Sequence, residues 1–303
     1  MTTEEVDHQG KSMSRRVVGR QLEGFQIHAF SQRVHGGNPA GVCLLDEWLS
    51  ADAMQHIARD LGPSVTAFVL NSDDGVHALR WFTRGGREVD SFCGHATFSA
   101  AHVLLQIKRS KHLRIEFKTV SGSRYVARSD EYLTMTVPYW PVEEIPCPEL
   151  LRRSLDIQPE QCFRGPRDIM LLFRTAEEVR RLTPDYTIMR AIGHTGVIAT
   201  AEGASGQVVH RFFCPGFSIG ENEDHATGSA LSSLAPYWTE KLGKPTFSAL
   251  QESARRGFFV CSVDRRVVTV SSHCATFFSA AIWSWEGSSE DPPDCTHGCI
   301  NGK

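Results

Sequence analysis

The sequence predicts an α/β protein in two similar halves, each setting several strands around one strongly apolar helix. Three observations carry this. Short alternating or β-branched runs bounded by turn residues recur along both halves. Two segments place small and polar residues directly before an apolar, helix-forming stretch: Phe92-Cys93-Gly94-His95-Ala96-Thr97, and Glu223-Asp224-His225-Ala226-Thr227-Gly228-Ser229-Ala230. Between them, residues 138–148 hold four prolines and no periodicity, the mark of a crossover.

In order, the folded part is expected to begin with an alternating strand at 25–30, after a polar, disordered extension over residues 1–24. A turn at Asn38-Pro39 precedes a buried strand. Ser50 is placed to cap a helix over 51–61, whose Met54, Ile57, Ala58 and Leu61 share a face, and Gly62-Pro63 ends it. Strands follow at 65–70 and 77–83, a helix at 94–107, and strands at 113–118, 124–128 and 132–138. The second half repeats the style, with helices at 148–155, 176–182 and 228–242 and strands at 168–173, 196–200, 208–213, 257–262, 267–271 and 276–283. The expected domains are therefore 25–138 and 139–286, with a flexible tail over 287–303. The string His-Ala-Thr-x-Ser-Ala, at His95 and again at His225, agrees with duplication and equally with chance.

At 303 residues, 41% hydrophobic and 22% charged, the chain has the composition of a soluble globular protein. A net charge of −3 gives no nucleic-acid signature. The sequence carries neither a long apolar run nor a signal-peptide core, so no membrane partner and a cytoplasmic location are expected. Nine scattered cysteines form no disulfide or zinc framework; the segment Cys295-Thr296-His297-Gly298-Cys299 is weighed as a soft-metal site and read as a free terminus. Each of the two motifs would open a helix whose free N–H groups and positive dipole end face outward. Two of them suggest a cleft that holds an anionic small molecule.

With these residues in view, the chain resembles the phenazine-biosynthesis isomerase family, which shares its fold with diaminopimelate epimerase. The matching residues are Ile27-His28-Ala29-Phe30 with Gly37-Asn38-Pro39-Ala40-Gly41-Val42, Ile57 to Leu61, Ser64-Val65-Thr66-Ala67-Phe68, Trp81-Phe82-Thr83, Cys93 to Thr97, Asp224 to Ala230, and Leu234-Ala235-Pro236-Tyr237-Trp238. The resemblance implies two pseudo-symmetric domains, each a curved sheet or barrel around a central helix, with the active site between them. It also implies a homodimer, a small-molecule substrate, and neither cofactor nor metal. It places the catalytic histidine at His95 and the aspartate at Asp224, and a polar contact at Ser229. Cys93 falls where racemases of this fold carry a thiol, opposite Thr227, and a helix start would favour its thiolate.

Gly94 and Gly228 are expected to let backbone approach a substrate oxygen, and Asn38, Ser64, Val65, Thr227 and Ser229 to contact substrate. The family's main acid/base glutamate belongs where this chain has Val65, which can neither accept nor deliver a proton. His28 and His225 are also departures, and the loop 84–91 is longer than usual. His28 and His225 are weighed as replacements for the missing carboxylate against packed or surface histidines, and Glu88 and Asp90 as loop carboxylates reaching into the cleft against merely solvated ones. The expected function is a cofactor-independent isomerase or cyclase of secondary metabolism acting on a polar or carboxylate-bearing metabolite. The alternatives are a silent binding homologue and a Cys93/Thr227 epimerase or dehydratase.

Overall fold

The computed structural model describes residues 3–6, 12–15, 19–129, 132–193, 195–217 and 221–285. Two short strands, β1 (Thr3–Val6) and β2 (Ser12–Arg15), pair only with each other. The first half then runs β3 (Gly19–Ala29), β4 (Asn38–Leu45), α1 (Ala51–Leu61), β5 (Val65–Leu70), β6 (Val76–Thr83), α2 (Gly94–His102), β7 (Arg114–Thr119), β8 (Gly122–Arg128) and β9 (Leu133–Val137). β10 (Glu143–Ile145) is the last strand of the first half, and the second runs α3 (Glu149–Arg153), β11 (Gln161–Arg164), β12 (Ile169–Leu172), α4 (Ala176–Arg181), α5 (Tyr186–Arg190), β13 (Val197–Glu202) and β14 (Val208–Phe213). A 3-10 turn (Gly228–Ala230) leads into α6 (Leu231–Leu242), followed by β15 (Thr246–Gln251), β16 (Gly257–Asp264), β17 (Val267–Ser272) and β18 (Cys274–Trp285).

Pairing shows the duplication. From β3 to β9 successive strands pair antiparallel, parallel, antiparallel, parallel, antiparallel and antiparallel, with α1 and α2 in the two parallel crossovers. From β11 to β17 the order is identical, with α4 and α5 in one crossover and α6 in the other. The halves join where the equivalent strands β9 and β17 pair antiparallel, from Leu133↔Ser272 to Val137↔Val268. A pseudo-twofold relation at that ladder makes one continuous sheet of the two.

The terminal strand of each half lies in the other. β10 leaves the first half and pairs with β11, while β18 leaves the second and pairs with β3 from Cys274↔Ala29 to Trp285↔Gly19. The expected boundary of 139–286 is thereby corrected: residues 274–285 are a strand of the first sheet. The boundary at residue 25 moves too, because β3 starts at Gly19 and buries Leu22 against α1. Alternation begins late there because Arg20, Gln21 and Glu23 mask it. The tail 287–303 lies outside the described residues.

Each local element has a visible cause. The Ser50 hydroxyl caps α1 by accepting from Ala53 N–H at 3.1 Å, and Gly62, at φ 90°, ends it in a left-handed turn that favours glycine. α2 is buried along its length except at His95, and contacts β3, β4, β5, β9 and β18, so the first sheet curls around it. Ala96, Ser99, Ala100 and Ala101 keep it thin enough to be enclosed. In α6, Pro236 has no N–H to offer the Ser232 carbonyl, and Trp140 N–H from the crossover takes that acceptor at 2.9 Å. Strands β10, β11 and β15 and helix α5 carry too short or too polar a pattern to stand out in the sequence.

His210 on β14 is fully buried, and burial lowers its pKa to about 3 from 6.5. The fold holds the neutral ring, so its stabilisation is complete above 6.5 and is lost as the pH falls from there toward 3. Urea unfolding should show this group costing about 1.4 kcal/mol between about pH 7.5 and 5.5, and a His210→Gln variant should lose that increment of acid sensitivity. An unchanged acid slope in the variant would show that His210 titrates normally.

Candidate functional site

A cavity of about 450 Å³ opens between the start of α2 and the Gly228–Ala230 turn, which contact each other. Its wall includes Ser64, Val65, Cys93, Gly94 and His95 from the first half, and Asp224, Thr227, Gly228 and Ser229 from the second. All but one of the expected site residues are therefore brought together. Asn38 is the exception. It is 1% exposed and does not line the cavity; its Nδ2 donates to Asp224 Oδ1 at 2.7 Å and to the Ala226 carbonyl at 2.9 Å. It positions the aspartate rather than a substrate.

The two helix starts are structural equivalents. Cys93, just before Gly94, has φ −111°, ψ 96°, and Thr227, just before Gly228, has φ −116°, ψ 90°. Strands β6 and β14 lead into them by the same hairpin. Glu88 folds back as a bridge to Phe82, and Glu223 to Phe213. The Arg80–Glu88 ion pair is matched by Arg211–Glu223, both at 2.7 Å, and each arginine lies over the phenylalanine of its bridge. Val89 N–H donates to the Trp81 carbonyl as Asp224 N–H does to Phe212. Asp224 therefore corresponds to Val89, Thr227 to Cys93, and Ser229 to His95. The shared His-Ala-Thr string is out of step with this equivalence: His95 follows its glycine, whereas His225 precedes its own. That likeness is coincidental.

Asp224 is the fixed point of the site. Besides Asn38, its carboxylate accepts from His225 N–H on Oδ1 at 2.9 Å and from the Thr227 hydroxyl on Oδ2 at 2.6 Å. Gln251 on β15, fully buried, donates to the Asp224 carbonyl and accepts from Thr227 N–H, both at 2.7 Å. Every rotation of the carboxylate is opposed, so it presents a constant edge to the cavity. Burial pushes His95 below the ordinary histidine range; the nearby Asp224 opposes that shift and His225 adds to it. His95 Nδ1 lies 3.8 Å from Cys93 Sγ, and its buried Nε2 has no partner among the described residues.

Burial drives the Cys93 thiol up to about 12, with Asp224 adding to the rise and the Ala96 N–H opposing it. Desolvation outweighs the helix start, so the thiolate expected there is absent near neutral pH. His28 is outside the cavity, stacked on Phe277 at 5.2 Å, with its pKa lowered to about 4 by burial, then by Arg255 and His35. His225 faces a separate pocket of about 180 Å³ beside Ser64. Glu88 is held by Arg80 on the opposite side of the hairpin, and Asp90 is exposed away from the wall. None of these four residues lines the cavity.

The sequence reading missed two arginines. Arg167, in the β11–β12 turn, donates to Ser229 Oγ at 3.1 Å and is paired through two nitrogens with the buried Asp168. Its ring neighbours Trp140 and Phe212 lie 5.3 and 5.7 Å away. Arg87 comes from the loop 84–91, with Val89 and Ser91 also on the cavity wall. The period of two was the available signal: once Glu88 faces Arg80, Arg87 and Val89 must face inward.

The glycines divide by role. A Cβ on Gly228 would stand 2.9 Å from the Phe30 ring, itself wedged against Phe98 and Phe259, whereas one on Gly94 would meet nothing closer than Phe92 at 3.6 Å. Gly228→Ala should thus lower stability by about 1–3 kcal/mol in thermal unfolding, while Gly94→Ala should melt as wild type and narrow the cavity. Equal melting points would contradict the packing at Phe30. Iodoacetamide near neutral pH should leave Cys93 unmodified in the native protein and alkylate it in urea, by peptide mapping; rapid native alkylation would mean that its thiol is neither buried nor protonated.

Comparison with known proteins agrees with the fold. The chain is 38% identical over 262 residues to an uncharacterized isomerase of Pseudomonas aeruginosa, covering 86% of this chain and 98% of that one. It is 33% identical to phenazine biosynthesis-like domain-containing protein 2 of Mus musculus, over 78% of this chain and 90% of the relative. The crystal structure of a phenazine biosynthesis protein of the PhzF family from Enterococcus faecalis superposes with a TM-score of 0.81 at 34% identity, covering 87% and 99% of the two chains. A hydroxyproline epimerase from Agrobacterium vitis shares the fold, at a TM-score of 0.55 and 11% identity. Over residues 27–280, the chain belongs to the phenazine biosynthesis-like protein family.

Proposed function

We propose that the protein is an isomerase that shifts a proton within a small carboxylate-bearing metabolite, with Asp224 as its acid/base. The observation that carries this is the broken symmetry of the cavity. Asp224 stands rigidly in the second half, and its equivalent in the first half is Val89. A single carboxylate can take a proton from one carbon and return it to another on the same face, which relocates a double bond without changing the formula.

The electrons freed at the first carbon move through the adjacent unsaturation onto an oxygen. The N–H groups at Gly94 and Gly228, both on the cavity wall, would bind such an oxygen and stabilise its developing charge. The protonated Cys93 thiol donates to His95 Nδ1, which leaves the proton on Nε2, and a substrate oxygen supplies the acceptor that Nε2 lacks. A two-base epimerase on Cys93 and Thr227 is disfavoured: the thiol is protonated, and the Thr227 hydroxyl is committed to Asp224. Independence from cofactors, a role in secondary metabolism, a cytosolic location and a homodimer belong to this proposal on the strength of the family resemblance. No helix among the described residues is long and apolar enough to cross a membrane.

Incubation with a small-molecule extract in D₂O, followed by untargeted mass spectrometry, tests the reading. A metabolite of unchanged formula should gain deuterium, at least ~10²-fold more slowly with Asp224→Asn. Equal exchange by wild type and variant would sink the role of Asp224, a new Asp224-dependent isomer without deuterium would mean that the carboxylate returns the proton it took, and neither exchange nor a new isomer would leave a binding protein.

A further inference from the structure

The cavity wall carries three charged side chains among the described residues, Arg87, Arg167 and Asp224, and only one lacks an engaged charge or hydrogen-bond partner. Arg167 is matched by Asp168 and bonded to Ser229, and Asp224 accepts from three donors. The Arg87 guanidinium has neither an ion pair nor a hydrogen bond among the described residues. Its backbone is nonetheless fixed: Thr83 N–H donates to the Arg87 carbonyl at 2.8 Å, and Arg87 N–H to the Thr83 hydroxyl at 3.1 Å. Arg80 removes the nearest acid, Glu88, to the far side of the hairpin. The same wall carries the apolar residues Val65, Val89, Phe92, Phe212 and Phe217 beside Ser64, Thr83 and Ser91. An unmatched cation, an apolar middle and an oxygen-binding floor are thus set in one volume of about 450 Å³.

We infer that the substrate is a dicarboxylic acid, its carbon skeleton seated on the apolar wall and its second carboxylate held by Arg87. This rests on the isomerase reading above and makes Arg87 a specificity-determining residue. Arg87 is exposed at the cavity rim, and its planar guanidinium can pair a carboxylate through two N–H groups. A monoacid of the same shape leaves Arg87 unmatched.

The test uses acid pairs that differ by methyl in place of carboxylate: fumarate and crotonate, mesaconate and tiglate, muconate and sorbate. Binding to the wild-type protein is measured by calorimetry at low salt. In at least one pair the diacid should bind about tenfold or more tightly than its partner, and high salt should erode the advantage. Arg87→Met should bring the ratio near one, and Arg87→Lys should restore part of it; the main-chain bonds of the hairpin survive both changes, and circular dichroism checks the fold. The inference is overturned if no acid binds, if diacid and monoacid bind alike, or if Arg87→Met keeps the preference. A monoacid preference with Asp224-dependent deuterium exchange would overturn this inference alone. A diacid preference with exchange indifferent to Asp224 would overturn the isomerase reading alone.

Discussion

The hydrogen-bond knot around Asp224 is the constraint on which the site depends. It draws Asn38 from the start of β4 in one half and Gln251 from the end of β15 in the other onto the same segment, 224–227. Both amides are buried, so an imperfect fit would strand polar groups away from water at a cost of roughly 1–3 kcal/mol each. The cavity keeps its shape because loosening it would unmake this network. The carboxylate orientation, the start of the Gly228 turn and the alignment of the two halves are therefore one structural fact.

The fold offers two equivalent positions for every group, and chemistry arises where they differ. Glu88 and Glu223, with their arginines, keep the symmetry because they brace identical hairpins. One residue further on, valine faces aspartate; at the helix starts cysteine faces threonine, and histidine faces serine. A cavity with matched acid/base groups on both walls suits inversion at one carbon, since each face needs its own base. A cavity with one carboxylate and one imidazole suits transfer along one face.

The strands that cross between halves explain why the site is stable at a seam. β10 and β18 each complete the sheet opposite the one that precedes them in the chain, so neither half can separate without losing an edge. The β9–β17 ladder adds a hydrogen-bonded joint beneath the cavity. A site shared by two halves is held as firmly as one within a single domain.

Much of this was legible in the residues because it is local. Ser50 and Gly62 bound α1, apolar periodicity marked α2 and α6, and the glycine-containing starts at Gly94 and Gly228 gave the cavity its floor; these signals need only near neighbours. The proton chemistry expected of Asp224 and His95 came from the family resemblance that these segments help to carry. What required the tertiary structure is everything decided by pairing between distant strands. Arg167, Asp168 and Gln251 enter the site through sheet register, which no local pattern records. Glu88 and Asp90 are indistinguishable from inward-facing carboxylates until the bridge to Phe82 fixes which side of the hairpin faces in, and that side delivers Arg87. The state of Cys93 was beyond the sequence for the same reason: a helix start lowers a thiol's pKa and burial raises it, and only the packed fold sets how much water is left.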